Sequence, residues 1–140
     1  ADALAAAIDD AFTGAHLQVV EQRGWFEPEL HLPGILRPLG VRELSDGTLR
    51  YLCLLAALMS PRPPGLLVLN EPETSLHPDL LRPLAARIVA ASAHGQVLCT
   101  THSHVLAEML AAAPEAGLAR LRMEEGETRL GGERAWFDEV

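Results

Sequence analysis

Two acidic residues, Glu71 and Glu73, follow the apolar run Leu66-Leu67-Val68-Leu69 and Asn70, and Ser75, Leu76 and His77 come just after them. A buried strand of an open α/β sheet delivers such a cluster at its C-terminal end, where ligands bind. In nucleotide hydrolases that position sets one group near Mg2+ and one carboxylate beside the attacking water. The plain alternative is a polar strand-to-helix loop with solvated carboxylates, and on this segment alone the two readings weigh equally.

Two further segments carry the same kind of chemistry. Leu44-Ser45-Asp46-Gly47-Thr48 lies one predicted helix upstream. A Ser and a Gly at a helix N-terminus offer a hydroxyl, free backbone N–H groups and the positive dipole end to an anion. Ser45 or Asp46 could equally do no more than cap that helix. Downstream, Val97-Leu98-Cys99-Thr100-Thr101-His102 ends a second apolar run in a histidine. His102 could touch a terminal phosphate there; it could also be an ordinary surface histidine, or pair with His104 on an adventitious metal.

The elements that must position these residues follow from pattern. Leu4, Ile8 and Phe12 lie on one face of a helix predicted over Ala1–Phe12. Leu17–Glu21 and Trp25–Leu32 read as strands of a hairpin turning at Arg23-Gly24. A loop is expected over Pro33–Leu44, a polar turn over Ser45–Gly47, and a helix over Thr48–Met59 with Leu49, Leu52, Leu55, Ala56 and Met59 inward. Gly65–Leu69 is a continuous apolar run, as in a parallel strand buried on both faces, and Gln96–Thr100 reads as a second buried strand. Between them a helix starts near Pro78, with Pro83 implying a kink or a late start. Ser103 is placed to cap a helix over His104–Ala112, and Ala119–Met123 with Glu127–Leu130 forms a closing hairpin around Glu125-Gly126. Helix, strand, helix, strand, helix is the pattern of an α/β domain with a mostly parallel sheet.

Composition sets the limits. At 140 residues and 49% hydrophobic, the chain holds one core. Its apolar runs are far too short to span a membrane. Its start has no basic segment leading into an apolar one, so a cytoplasmic location is expected. Cys53 and Cys99, set in apolar runs, are expected to be buried free thiols. A net charge of −8 gives no support to a nucleic-acid surface on this chain, though a larger assembly could carry one. All 11 basic residues are Arg, and there is no Lys.

In this order and spacing the three segments, spanning Arg42 to Leu110, resemble the ABC-type ATPase heads, most closely predicted ATPases related to RecF and SMC proteins (an AAA-type ATP-binding domain of the ABC class). The resemblance implies the C-terminal portion of a P-loop NTPase, one partial domain over 1–140. Residues 1–43 would be its N-terminal helix, hairpin and loop, 44–112 its motif core, and 113–140 its closing hairpin. It implies ATP and Mg2+ as cofactors and a head-to-head homodimer. Ser45 and Gly47, with Asp46 beside them, would meet the γ-phosphate held by a second protomer. Glu71 would be the base or water-orienting group, Ser75, Leu76 and His77 the D-loop at the dimer interface, and His102 the switch histidine. His104, inside the next helix, suits that role less well.

The chain departs from that pattern at Asn70, where most such heads have Asp, and at Asp46, where Gly is usual. Asn70 could still reach Mg2+ through a bound water, weakly, since it brings no charge. The phosphate-binding Gly-x-x-x-x-Gly-Lys-Ser/Thr cannot occur without Lys. The chain is therefore expected to be a C-terminal fragment, inactive alone, of a parent that hydrolyses ATP. One alternative is a non-catalytic dimerisation module from a degenerate ATPase. Another is a metal-dependent hydrolase or nuclease built on Glu71, Glu73, His77, His102 and His104.

Overall fold

In the computed structural model, which describes residues 3–131, the first helix, α1 (Ala3–Ala11), buries Ala7 and Ile8 completely. β1 (His16–Gln22) and β2 (Trp25–His31) pair antiparallel, His16 opposite His31 and Gln22 opposite Trp25. Their turn places Arg23 and Gly24 at φ 54° and 80°, and the turn at Glu125-Gly126 repeats this with 52° and 85°. Two successive left-handed residues match the twist of the flanking strands, which is why Gly stands second in both.

Residues 33–44 are more ordered than the loop expected from their prolines. β3 (Leu39–Gly40) adds to β2, Leu39 opposite Leu30 and Gly40 opposite Glu29, and a single 3-10 turn follows at Val41–Glu43. Glu43 fastens the segment: its carboxylate accepts from both Arg37 guanidinium nitrogens at 2.8 and 2.6 Å and from the Gly40 N–H at 3.2 Å. A strand of two residues is too short to show in an alternation pattern.

α2 (Asp46–Leu58) begins earlier than expected, because Ser45 caps it, its hydroxyl accepting the Thr48 N–H at 3.1 Å. The expected polar turn at Ser45–Gly47 is therefore largely the first turn of the helix. Its inward stripe is also different: Tyr51, Leu55 and Leu58 are buried, and the Tyr51 ring meets Phe12 edge-on at 5.7 Å. Cys53 lies on the opposite side of α2 and is exposed, and Cys99 is half-buried, so the expectation of two buried thiols fails for Cys53.

β4 (Leu66–Asn70) and β5 (Gln96–Thr100) pair parallel, Leu66 opposite Gln96 and Asn70 opposite Thr100. Between them Pro78 opens a 3-10 turn, Pro78–Leu80, and the α-helix proper, α3 (Leu81–Ser92), starts after it. The late start puts Pro83 in the first turn of α3, where its missing N–H costs nothing. α4 (His104–Ala111) is capped by Ser103, and β6 (Arg120–Glu124) and β7 (Glu127–Gly131) form the second hairpin. Residues 132–140 of the expected closing segment lie outside the described residues.

The core gathers Ile8, Leu30, Tyr51, Leu55, Leu69, Leu84 and Ile88 against one face of the β4–β5 pair. Each such side chain contributes about 1.5–3 kcal/mol by leaving water. The other face is bare: Leu66, Val68 and Leu98 are 51%, 56% and 55% exposed. Burial on both faces, expected from the unbroken apolar runs, is thus met on one face by the described residues.

Candidate functional site

β4 and β5 run side by side and end level, so Asn70 and Thr100 are neighbours; the Thr100 hydroxyl donates to Asn70 Oδ1 at 2.7 Å. Past them the backbone turns sharply. Glu71 takes φ 46° and Ser75 φ 66°, left-handed conformations that cost a non-Gly residue roughly 1–2 kcal/mol each. The Glu71 N–H donates to the Thr100 carbonyl at 2.9 Å, tying the turn back to β5. The Glu71 side chain then meets His102: Nε2 lies 3.0 Å from Oε1, with the imidazole 88% exposed. The two residues expected to act on the reacting end of a substrate are brought together.

Gly47 and Ser75 meet as well, by packing. A Cβ placed on Gly47 would come 2.5 Å from the Ser75 carbonyl oxygen, so the first turn of α2 lies directly against the segment after β4. Here the lack of a side chain is a matter of space, since the φ of Gly47 is not positive. Ser45 turns its hydroxyl into its own helix, where it caps Thr48 N and lies 2.9 Å from Thr48 Oγ1. Asp46 follows in the first helical turn, where the dipole favours a carboxylate. His77 caps the 3-10 turn, Nδ1 accepting the Asp79 N–H at 3.3 Å, and the Asp79 carboxylate lies 3.4 Å from the same nitrogen. Neither Ser45 nor His77 is joined by a hydrogen bond or ion pair to Glu71 or His102.

Arg50, which the sequence did not single out, and Glu73, expected only as a metal ligand in the hydrolase alternative, prove central. Arg50, on the next turn of α2 from Gly47, donates from Nη2 to the Glu71 carbonyl at 2.8 Å, steadying the left-handed residue. Glu73 faces β5: its Oε1 accepts from Thr101 Oγ1 at 2.5 Å and from the His102 and Ser103 N–H groups at 3.0 and 3.2 Å. Burial pushes the Glu73 carboxyl upward, but these hydrogen bonds, with that of its own backbone, outweigh it and hold the group below the usual carboxylate range. As a metal ligand Glu73 would have only Oε2 to offer, since Oε1 is taken up by these three donors. Among the described residues no three His, Cys, Asp or Glu side chains gather as a metal site.

A family match and similar solved structures show this α/β core, with its acidic turn after one parallel strand and its histidine after the next, to be an ABC/SMC-like ATPase head with the P-loop NTPase fold. A family described as an AAA domain, putative AbiEii toxin of a type IV toxin–antitoxin system, matches residues 13–108, and the chain belongs to it. Among solved structures, an SMC ATPase from work on ATP-driven dimerization and DNA-stimulated activation is similar at 14% identity and TM-score 0.72, over 91% of this chain and 78% of that one. An Smc head bound to the C-winged helix domain of ScpA gives 16% and 0.74, over 91% of this chain and 40% of that one. The SMC head domain from Thermotoga maritima gives 22% and 0.62, over 94% and 46%. At these identities the likeness is one of fold, and the chain spans less than half of the latter two. No curated protein matches the chain. Among the described residues no helix is long and apolar enough to cross a membrane.

Proposed function

We propose that this chain is the water-activating and partner-facing part of an ATPase that binds ATP with Mg2+ and hydrolyses it as a head-to-head dimer. The observation that carries this reading is the contact between Glu71 Oε1 and His102 Nε2 at the ends of neighbouring parallel strands. In it, Glu71 orients the attacking water and accepts its proton, while His102, with its hydrogen on Nε2, donates to Glu71 and fixes the carboxylate rotamer. The N-terminus of α2 offers Gly47 and its free N–H groups to the phosphate held by a second protomer, and Ser75 and His77 face that protomer.

Mg2+ would neutralise charge on the terminal phosphates when bound. Asn70 fits it only through a water, since Oδ1 already accepts the Thr100 hydroxyl and carries no charge. Phosphate binding itself calls for a P-loop, and a chain without Lys cannot supply one. The bare face of Leu66, Val68 and Leu98 supports a second layer, carrying that loop, seated on the sheet. A cytoplasmic location completes the reading, and the chain's net charge of −8 lends no support to a nucleic-acid surface of its own, although a larger assembly could carry one.

The test is Glu71→Gln in the full-length protein. Nucleotide binding and dimerisation are retained, and turnover falls by about 10²–10⁴-fold, the usual worth of a general base. Wild-type turnover in that variant would refute the role. A non-catalytic dimerisation module is the second reading, favoured by the neutral, already engaged Asn70; an ATP-dependent dimer without measurable hydrolysis in the wild-type protein would establish it.

A further inference from the structure

We infer that Glu73 is the positioning residue of the switch histidine: its carboxylate clamps the backbone of residues 101–103 and thereby sets where His102 meets Glu71. This rests on the reading above for what His102 does, but the clamp itself is a matter of geometry. One oxygen, Oε1, gathers the Thr101 hydroxyl and the N–H groups of His102 and Ser103, three donors from three consecutive residues. Thr101 Oγ1 in turn accepts the Ser103 N–H at 3.0 Å, closing the ring. The segment cannot rotate about its backbone without breaking several of these bonds at once.

His102 depends on that restraint. Its side chain is 88% exposed, so packing does not hold the imidazole; the direction of its Cα–Cβ bond, fixed by the backbone, must do so. Glu73 is well placed to couple the two ends. Only Pro72 separates it from Glu71, and Pro72 is fully buried with its φ locked by the ring. The same clamp leads into α4, since Ser103 caps that helix by accepting the Leu106 N–H at 3.2 Å. Glu73 Oε2 is buried and has no partner among the described residues, so the carboxylate is kept there although one oxygen goes unused. A residue retained only to begin α4 would not need it, because Ser103 already does so.

The test uses the full-length protein with Glu73→Ala, Glu73→Gln, His102→Ala and the Glu73→Ala/His102→Ala double variant. Glu73→Ala is expected to lower kcat about as much as His102→Ala, with KM for ATP within about twofold, and the double variant to lose no more than either alone. Glu73→Gln, which keeps a carbonyl acceptor, recovers part of the rate. Losses that multiply in the double variant, or a rise in KM with kcat unchanged, would overturn the proposal. A second readout does not depend on turnover: with isotope-labelled His and Ser, the carboxylate-bound amide protons of His102 and Ser103 move upfield in Glu73→Gln. Unmoved amides in that folded variant would also overturn the clamp. If they move while Glu71→Gln hydrolyses ATP at the wild-type rate, the clamp stands and the ATPase role of Glu71 falls.

Discussion

Gly47→Ala in the full-length protein separates two uses of this glycine. As a helix residue it is unfavourable, and alanine should gain up to about 1 kcal/mol. As a contact residue it is required: the new Cβ lies 2.5 Å from the Ser75 carbonyl oxygen, well inside the 3.4 Å at which ordinary contact begins. The opposing atom is backbone, so no rotamer change relieves it, and Ser75 is already held at φ 66°. Overpacking costs about 1–3 kcal/mol, and a 2.5 Å clash with unyielding backbone lies in the upper part of that range, about 2–3 kcal/mol, so after a propensity gain of about 1 kcal/mol a loss of about 1–2 kcal/mol remains. For a domain of about 150–250 residues each kcal/mol shifts Tm by about 2–4 °C, so a fall of about 2–8 °C is expected in a thermal melt without nucleotide. Ser75→Gly, which frees the left-handed backbone to yield, should restore part of that loss when added to Gly47→Ala. A melting point equal to or above wild type in Gly47→Ala would show that the helix gain is unopposed and that the two segments do not press on each other.

Other outcomes follow from single contacts. Arg50→Met removes the bond to the Glu71 carbonyl and should cost about 1.5–3 kcal/mol in urea unfolding, with Arg50→Lys recovering little because an ammonium lacks the planar reach; wild-type stability in Arg50→Met would remove the contact from the account. Tyr51→Phe should be neutral or stabilising by about 1 kcal/mol, since the buried hydroxyl, whose pKa burial pushes up to about 12, has no partner among the described residues; a clear loss in unfolding midpoint would reveal a partner. Glu43, hydrogen-bonded by Arg37 and Gly40, has its carboxyl lowered from 4.5 to about 2, so its contribution to fastening residues 37–43 is complete above 4.5 and is lost as pH falls toward 2. At about pH 3 its carboxyl carbon should still report the ionised form while unperturbed glutamates are protonated, and Arg37→Ala should remove most of the difference, leaving the part due to the Gly40 N–H.

What the sequence shows and hides divides by distance along the chain. Helix and strand periods, the Ser45 and Ser103 caps and both Gly-containing hairpin turns are local, and they are legible. The inward side of α2 is legible in Leu52, Leu55 and Met59, which lie in or against the core, but not in Tyr51, whose ring meets Phe12 from far away in sequence. β3 escaped because its two residues take their identity from β2. Glu71 and His102 could be named from the strands that end in them, although nothing local announces that their side chains touch. Arg50 and Glu73 left fainter traces: an arginine one turn past Gly47, and a second carboxylate two residues past the first. Each acts across a tertiary contact, Arg50 on the Glu71 carbonyl and Glu73 on residues 101–103. Periodicity carries no information about such pairs.

The segment from Glu71 to Ser75 is consequently held from three directions, by Arg50 at its first carbonyl, by the clamp of Glu73 on β5's end, and by Gly47 beneath its last. Two left-handed residues bracket it, so its shape is imposed by these contacts and would not persist without them. Under the proposed function, a partner protomer docking on Ser75 would press on the start of α2 through Gly47. With Pro72 stiffening the link between Glu71 and Glu73, the same displacement would turn Glu71 and, through Glu73, shift His102. Gly47, Glu71 and His102 would then answer together to a second head, and a double-mutant cycle between Gly47→Ala and Glu73→Gln read in turnover would show coupling beyond additivity.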